Sequence, residues 1–492
     1  MIAATHIATR GRWYRRPGGP WDGPTLDGAL SAARTRKSAL VDGGVRLSTV
    51  ELHHLAARVA GGLRAAGVRR RDVVTWQLPN RWEAVVLYRA CWRLGAVAAP
   101  VHHLAGPADV DAMLGGLDVR LAVEEDRLAS LLDARPLPPG VRPARPADAA
   151  VVLFTSGSSG APKGVIHTQR GLAYKAILMA GVHGLRRRDC VLMPAPLAHI
   201  SGLLNGVLVP GVAGVRSVLQ SRWEPDAALD LIEAENVSFM IGPPTFFVGL
   251  RDAGSFAPER VGSLRLISCG GAGVTADFVK ETADALGARV KRTYGSTEAP
   301  TVTTAHDGDS RRKARTTDGR PTGEVELRID PASGEVLVRG PELFAGYTDR
   351  SRNAAAFARG GWFRTGDLGA VDDDGWLTIT GRINDVIIRG GENISIAEVE
   401  AVCEAHPAVR HAVAAGYRSR RLGERVGVAV VLAPGKRFGL EECRAWFAER
   451  GITKFKVPER IVAVDAVPVL AAGKPDRDAV RKLLSRPSQP TS

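Results

Sequence analysis

One short stretch of the chain combines the residue types that hold a phosphate group. Residues 153–164 read LFTSGSSGAPKG, and they follow an apolar run at residues 151–154 that predicts a buried strand. Glycines let the backbone turn sharply and direct several N–H groups at one point, which favours an anion. Hydroxyl side chains and a lysine add donors and positive charge. The residues expected to contact phosphate are Thr155, Ser156, Gly157, Ser158, Ser159, Gly160 and Lys163.

This loop is not a Walker A motif, because Lys163 follows Pro162 and precedes Gly164. Taken alone, a stretch rich in serine and glycine is more typical of a polar surface turn between two strands. The rest of the chain must decide between the two interpretations.

Two further segments combine glycines with groups that suit a nucleotide. Residues 294–298 read YGSTE: the flat ring of Tyr294 offers dispersion to a base, and the carboxylate of Glu298 suits Mg²⁺. The glycines of residues 270–272, GGA, let a backbone approach a ligand closely. Each segment is also an ordinary turn when it is taken alone.

Three polar positions elsewhere have both a chemical and a structural interpretation. Asp367, in residues 365–367 (TGD), can accept two hydroxyl groups at once or can form an Asx turn. His199 lies in PLAHISG and is either a substrate contact or a structural histidine. Lys474 follows Gly473 and either offsets negative charge at a reacting phosphate or is a solvated surface lysine.

These segments, in this order, closely resemble those of the acyl-adenylate-forming enzymes, a superfamily that includes acyl-CoA synthetases and aryl-acid ligases. The resemblance extends from about residue 47 to residue 477 and includes QLPN at residues 77–80. It implies an ATP site whose further members are Gly271, Ala272, Tyr294, Gly295, Ser296, Thr297, Asp367 and Arg382, with Glu298 helping to hold Mg²⁺.

The resemblance also implies roles in catalysis. Lys474 contacts the carboxylate and the α-phosphate, the hydroxyl of Thr297 touches the α-phosphate, and the ring of His199 gates the acyl site. Catalytic roles are expected for Lys474, His199, Thr155 and Glu298, an acyl pocket for His199, Phe246, Phe247, Gly270 and Gly271, and a thiol tunnel for Arg389, Gly390 and Gly391. The hinge between domains is expected at Asn384, where the family has Asp or Lys. Ile396 replaces a proline usual in the family, with little expected consequence.

Composition limits the alternatives. The 492 residues carry 66 basic and 52 acidic side chains, a net charge of +14. This charge suits a protein that handles nucleotides. Nucleic-acid binding is less favoured, because no basic stripe with aromatic residues and no zinc-ligand spacing occurs in the sequence. The five cysteines have no CxxC spacing, no signal pattern opens the chain, and the longest apolar run, residues 426–433, is too short for a membrane. A cytoplasmic protein without membrane or nucleic-acid partners is expected, with a homodimer as a possible assembly.

Alternating strand and helix patterns predict an α/β protein. We expect a large N-terminal domain of two doubly wound α/β subdomains plus a small β-barrel, and a small mobile α+β C-terminal domain. The boundaries are 1–383 for the adenylation core and 384–492 for the lid domain. Residues 1–37 are expected to be irregular. Ser48 with Glu51, and Ser395 with Glu398, predict capping boxes, and Thr168 is expected to open a helix.

The resemblance implies an ATP-dependent carboxylic acid:CoA ligase that forms acyl-AMP and pyrophosphate, then acyl-CoA, with ATP, Mg²⁺ and coenzyme A as cofactors. An aryl-acid ligase that loads a separate carrier protein is the alternative within the family, and a nucleotide- or RNA-binding protein without catalysis is the alternative outside it. The sequence does not specify which carboxylic acid is activated. Ile241, Phe246 and Phe247 indicate either an apolar acid or simply a core.

Overall fold

The computed structural model describes residues 14–32, 38–138, 141, 144–155, 162–271, 273–383, 386–389, 392–419, 423–452, 454–470 and 474–486. Contacts divide the chain into two compact units. The large unit comprises Met1–Leu327 and Leu337–Arg364, and the small unit comprises Arg328–Val336 and Thr365–Ser492. The functional boundary at residue 383 stays a prediction.

The large unit contains a wide sheet, here called the nine-stranded sheet after its described strands. Their spatial order is Arg320–Pro321, Thr303–Thr304, Arg289–Tyr294, Leu266–Gly270, Phe239–Gly242, Cys190–Met193, Arg216–Leu219, Ser38–Asp42 and Val45–Ser48. The central strands are parallel, and the chain continues from Cys190–Met193 to Arg216–Leu219 on one side and then to Phe239–Gly242 and the strands after it on the other. Ser38–Asp42 and Val45–Ser48, which come earlier in the chain, lie beyond Arg216–Leu219. The predicted doubly wound arrangement is therefore present.

A second sheet of the same unit, here the six-stranded sheet, is built on the same principle. Its described strands are ordered Gly346–Tyr347, Lys163–Thr168, Ala149–Thr155, Val97–Pro100, Val73–Trp76 and Val119–Val123. The last four are parallel, and the first two are antiparallel additions at one edge. The loops after the parallel strands therefore share one edge of the sheet, where open α/β sheets place their ligands.

Helices cover both sheets of the large unit. The α-helices described are Leu26–Ala32, Thr49–Ala65, Trp82–Leu94, Pro107–Leu114, Glu125–Leu132, Gln169–Val182, Ile200–Gly202, Val209–Ala213, Pro225–Glu235, Pro244–Asp252, Ala276–Leu286, Arg311–Thr316 and Asn353–Ala356, with a π-helix at Leu203–Leu208 and 3₁₀ turns at Pro258–Val261 and Arg350–Arg352. The largest apolar cluster joins residues of both sheets, such as Val74 and Phe239. Because neighbouring strand residues face opposite sides, Val73 belongs to a different cluster from Val74.

Local signals explain where several helices begin. Ser48 caps Thr49–Ala65 with the predicted capping box: Glu51 N donates to its hydroxyl, and the Ser48 N–H donates to the Glu51 carboxylate at 2.7 Å. Thr168 caps Gln169–Val182 by accepting a bond from Gly171 N. The expectation that residues 1–37 are irregular is wrong for Leu26–Ala32, a two-turn helix held by its buried leucines rather than by a long apolar pattern.

The small unit is described by itself. Its C-terminal sheet has the order Glu392–Ser395, Val386–Arg389, Gly423–Leu432, Val409–Ser419, with Arg460–Ala463 beside Gly423–Leu432. Its helices are Ile396–Glu404, Leu440–Glu449 and Arg477–Ser485, with a 3₁₀ turn at Lys454–Lys456. These elements give the predicted α+β composition.

Only half of the capping box predicted at Ser395 is formed in the small unit. The Ser395 hydroxyl accepts a bond from Glu398 N, but the Glu398 carboxylate accepts from Lys456 Nζ at 2.7 Å instead of returning to the cap. A tertiary ion pair has taken the place of the local bond.

A further set of strands includes those expected near residues 334–341 and 376–381. They are Glu326–Ile329, Glu335–Arg339, Phe357–Ala358, Trp362–Val371 and Leu377–Arg382. Their closure into a barrel stays a prediction. The described part of the chain has no helix with the length and hydropathy that crossing a membrane requires.

Candidate active site

The two ends of the predicted phosphate loop lie side by side at the edge of the six-stranded sheet. Thr155 ends its strand, and Lys163 begins the next strand directly opposite it. Residues 156–161 fall outside the described part of the chain, and these include Ser156, Gly157, Ser158, Ser159 and Gly160. The hairpin therefore places Thr155 and Lys163 together and fixes where the loop begins and ends.

The YGSTE segment forms a tight turn after the strand Arg289–Tyr294. Ser296 N donates to Ala299 O at 3.0 Å, and Ala299 N donates to the Ser296 hydroxyl at 3.2 Å. A Cβ on Gly295 would lie 2.5 Å from Thr301 N, so this position requires glycine. Thr301 closes the turn with a φ of +46°.

This turn is attached to the phosphate hairpin. His167, on the hairpin's second strand, donates from Nε2 to Thr297 O at 2.7 Å. Burial lowers the pKa of His167 to about 4, so its ring is neutral and Nε2 carries the proton for that bond. Phe344 N donates to Glu298 O at 2.9 Å. The backbone of the turn is thus held at Thr297 and at Glu298.

The side chain of Glu298 is held by Tyr347, which sequence reasoning missed. The Tyr347 hydroxyl donates to Glu298 Oε1 at 2.8 Å, and Lys163 Nζ lies 5.8 Å from the centroid of the same ring. Burial first, and then the neighbouring Glu298 carboxylate, raise the pKa of Tyr347, so the phenol stays protonated. One residue therefore links the lysine of the phosphate hairpin to the predicted metal ligand.

The donor set suits Mg²⁺ shared with a phosphate. Mg²⁺ is bound in proteins by one or two carboxylates plus substrate phosphates and water. Glu298 supplies one carboxylate, and the described residues contain no cluster of three acidic, histidine or cysteine ligands that would hold a metal without substrate.

The glycines at residues 270 and 271 lie beside Tyr294. Gly270 pairs with Thr293 in parallel register, so Gly271 leaves the sheet next to Tyr294. A Cβ on Gly270 would lie 2.2 Å from Thr293 O, and Gly271 has a φ of +81°. Both positions therefore require glycine, for close approach in one case and for conformation in the other. Ala272 lies outside the described residues.

Asn80 organises the segment that carries His199. Its buried amide nitrogen donates to Ala195 O at 2.8 Å, Gln220 O at 3.2 Å and Met193 O at 3.3 Å, while its oxygen accepts from Leu197 N at 2.8 Å. Sequence comparison singled out QLPN only as a likeness, and the role of its asparagine as an anchor follows from the structure.

A second histidine lies against His199. The ring centroids of His102 and His199 are 5.3 Å apart, and the ring of His103 stacks on that of His102 at 4.7 Å. Sequence reasoning missed both histidines; two adjacent histidines just after a strand of a parallel sheet are the signal that could have found them.

The two phenylalanines predicted for the acyl pocket differ in their surroundings. Phe246 packs on Trp223 with centroids 4.5 Å apart. Phe247 is fully buried in the apolar cluster on the face of the nine-stranded sheet that includes Met240 and Ile267. Phe247 therefore lies in the hydrophobic core. A contact between Phe247 and substrate stays a prediction.

In the small unit the predicted ribose pair lies together on one hairpin. Asp367 and Arg382 face each other across the strands, and Arg382 Nε donates to Asp367 Oδ1 at 2.6 Å. The Thr365 hydroxyl donates to Val336 O, and the N–H of Gly366 donates to Glu335 Oε1 at 3.0 Å. The hairpin is thus fixed immediately before Asp367.

The remaining predicted residues of the small unit either make other contacts or lie outside the described residues. The carbonyl of Lys474 accepts a hydrogen bond from Leu470 N at 2.7 Å. Arg389 forms a double hydrogen bond with the Glu459 carboxylate at 3.0 and 3.1 Å. Asn384, Gly390 and Gly391 lie outside the described residues.

Comparison with known proteins agrees with this geometry. The sequence model described as AMP-binding enzyme matches residues 29–348, and the one described as AMP-binding enzyme C-terminal domain matches residues 398–474. The chain is 32% identical to the medium-chain fatty-acid–CoA ligase of Escherichia coli (strain K12), over 99% of this chain and 94% of that protein. It is 33% identical to a feruloyl-CoA synthase of Amycolatopsis sp, over 92% and 98%.

A solved structure shares the fold. That of o-succinylbenzoate CoA synthetase from Bacillus subtilis, in complex with its acyl-adenylate intermediate, has a TM-score of 0.81 and 27% identity. The match covers 93% of this chain and 98% of that one.

Proposed function

The chain belongs to the AMP-binding enzyme family, and from this premise we propose how its own residues divide the reaction. It is an ATP-dependent carboxylic acid:CoA ligase. An oxygen of the acid attacks the α-phosphorus of ATP and pyrophosphate leaves, giving acyl-AMP. The thiol of CoA then attacks the acyl carbonyl, AMP leaves, and the thiol proton passes to solvent.

The observation that carries the proposal is the connection between the phosphate hairpin and the YGSTE turn. Thr155 and Lys163 begin and end the loop that binds the ATP phosphates, Tyr294 stacks on adenine, and Thr297 reaches the α-phosphate. Supporting this is the bond from His167 to Thr297 O, which joins the two segments. When bound, Mg²⁺ would neutralise phosphate charge beside Glu298.

For the small unit we propose that Asp367 and Arg382 hold the ribose. The Asp367 carboxylate accepts both ribose hydroxyls, and its bond to Arg382 fixes its orientation. Lys474 places its charge between the carboxylate and the α-phosphate, because two anions repel each other as they react.

A change at Lys474 tests this assignment. Lys474→Ala should abolish pyrophosphate exchange while sparing thioester formation from supplied acyl-adenylate, because the lysine acts only in the first half-reaction. Lys482→Ala, an exposed lysine of the same unit, is the matched control. Equal loss of both half-reactions would refute the role.

We propose that the domain at residues 384–492 rotates between half-reactions about Asn384, and that Arg389, Gly390 and Gly391 then line the path of the thiol. Asn384→Pro fixes φ and should block one half-reaction selectively. Unchanged overall turnover would refute the hinge.

The acceptor and the acid are tested together. Release of pyrophosphate from ATP, measured for a panel of carboxylic acids, identifies the acid, and a product assay with CoA or a purified carrier protein identifies the acceptor. We expect acyl-CoA to form with CoA alone. Acyl transfer only to a carrier protein would favour the aryl-acid ligase alternative.

We further propose a cytoplasmic homodimer. The five cysteines are all buried and free, as suits a reducing compartment. Cell fractionation tests the compartment, and light scattering of the purified protein tests the assembly; a monomeric mass across the micromolar range would exclude the dimer.

A further inference from the structure

The imidazole of His102 presents a fixed hydrogen-bond donor at the candidate acyl site. Leu104 N donates to His102 Nδ1 at 3.1 Å, so Nδ1 is the unprotonated nitrogen of the ring. In a neutral imidazole the proton must then lie on Nε2. Burial lowers the pKa of His102 to about 4, and His103 adds to the effect, so the ring is neutral in the physiological range.

The donor at Nε2 is buried, and it has no hydrogen-bond partner among the described residues. The residue as a whole is 8% exposed. A buried donor without an acceptor loses its hydrogen bonds to water and gains none in return, which is unfavourable. A ligand that carries an oxygen able to accept this hydrogen bond should therefore bind more tightly than the same ligand without that oxygen.

Side-chain hydrogen bonds fix the loop that carries His102. The Gln77 amide donates to the carbonyls of His102, His103 and Ala105, at 3.2, 3.3 and 2.8 Å. These bonds and the stacking of His103 hold the His102 ring in one orientation.

His102 also lies at the edge of the six-stranded sheet that carries the phosphate loop. It follows the strand Val97–Pro100, which is parallel to Ala149–Thr155, with Ala98 opposite Val151. His102 therefore leaves the same edge of the six-stranded sheet as the phosphate loop. Its contact with His199 places it beside the segment that follows the strand Cys190–Met193 of the other sheet.

We propose that His102 is a specificity-determining residue whose Nε2–H donates to an oxygen on the tail of the acid. The substrate class is then a carboxylic acid that carries a hydroxyl, alkoxy or carbonyl oxygen away from its reacting carboxylate. This inference rests on the proposed function and adds to it the chemistry of the tail.

Matched pairs of acids test the proposal. Pyrophosphate exchange is measured for benzoic, cinnamic and medium-chain acids and for the same skeletons with one hydroxyl or methoxy group at each position. In the wild-type protein the ratio of kcat/KM, substituted over unsubstituted, should reach about 10 or more for one position of one skeleton. In His102→Phe that ratio should fall to about 1.

The conservative variant His102→Gln guards against a merely structural effect. Glutamine retains an N–H donor and should keep part of the preference, whereas a purely structural role of His102 would lower activity toward both acids of a pair equally in both variants. An unchanged ratio in His102→Phe would overturn the inference. A wild-type protein that prefers no oxygen-bearing acid would also overturn it, and would indicate that the Nε2–H donates only to water. Absence of exchange with every acid would overturn the proposed function itself, and this inference with it.

Discussion

The hydroxyl of Tyr347 donates a 2.8 Å hydrogen bond to Glu298 Oε1, and the two residues lie 49 positions apart in the chain. Tyr347 belongs to a two-residue strand paired with the phosphate hairpin, opposite Val165. The carboxylate that we assign to Mg²⁺ is therefore oriented by an element whose position depends on the hairpin that we assign to the ATP phosphates.

Removing that hydroxyl should weaken the metal dependence of adenylation. Tyr347→Phe leaves one oxygen of Glu298 without its donor, and a hydrogen bond to a charged group contributes about 1.5–3 kcal/mol. We expect half-maximal pyrophosphate exchange to require about 10-fold more Mg²⁺. Tyr174→Phe, which removes a hydroxyl that binds only the backbone of Glu324 in the described structure, is the control. Equal Mg²⁺ curves for Tyr347→Phe and wild type would contradict the positioning role.

A buried ion pair also holds the YGSTE turn in place. Lys175 Nζ donates to Glu342 Oε1 at 2.8 Å and to the Thr322 hydroxyl at 2.7 Å, and the two charged side chains are 0% and 2% exposed. The Thr322 hydroxyl in turn donates to Thr301 O at 2.9 Å, at the residue with positive φ that closes the YGSTE turn.

Breaking this pair on one side should be more damaging than removing it entirely. Lys175→Met leaves the Glu342 charge buried and unpaired, which costs about 3–5 kcal/mol, whereas an apolar replacement of both partners is close to neutral. We expect the denaturant midpoint of Lys175→Met to fall strongly and that of Lys175→Met/Glu342→Leu to recover most of the loss. A double variant no more stable than the single one would show that the pair is not coupled.

The sequence signals that succeeded were local. The Ser48 capping box, the Thr168 cap and the strands flanking the phosphate loop each depend on neighbours within a few residues, which is the range that periodicity and capping rules cover. The residues that were missed, Tyr347 and His102, act on partners far along the chain. No local pattern records which strands become neighbours, so these contacts become visible only once the sheets are assembled.

Asn80 provides a test of the acyl segment. Asn80→Ala leaves the buried Leu197 N–H and the carbonyls of Ala195 and Gln220 without their partner. We expect the KM for the acid to rise more than the KM for ATP, because the segment that carries His199 loses its anchor, and stability to fall by about 2–4 kcal/mol. Asn80→Asp retains the acceptor for Leu197 N but sets a carboxylate oxygen against the carbonyls that the amide bonded, and should raise the KM for the acid at least as much as Asn80→Ala. Equal increases in both KM values would place the effect outside the acyl segment.

The buried ring of His167 should make the stability of the large unit depend on pH. Its pKa is lowered to about 4 in the folded protein, mainly by burial, while an unfolded histidine titrates near 6.5. Between these values the unfolded chain binds the proton and the folded chain does not, so this contribution to stability is complete above pH 6.5 and is lost as the pH falls toward 4. The full loss corresponds to about 3 kcal/mol.

His167→Gln isolates that contribution, because the glutamine amide can still donate to Thr297 O but does not titrate. Denaturant unfolding is measured at pH 7.5, 6, 5 and 4 for both proteins, and the other histidines, including His102, contribute equally to each. We expect the wild-type protein to lose about 3 kcal/mol more than His167→Gln over this range, with most of the difference developing below pH 6. Parallel stability curves would mean that His167 already takes up its proton in the folded protein at the ordinary pKa, and that its bond to Thr297 O survives in the charged ring.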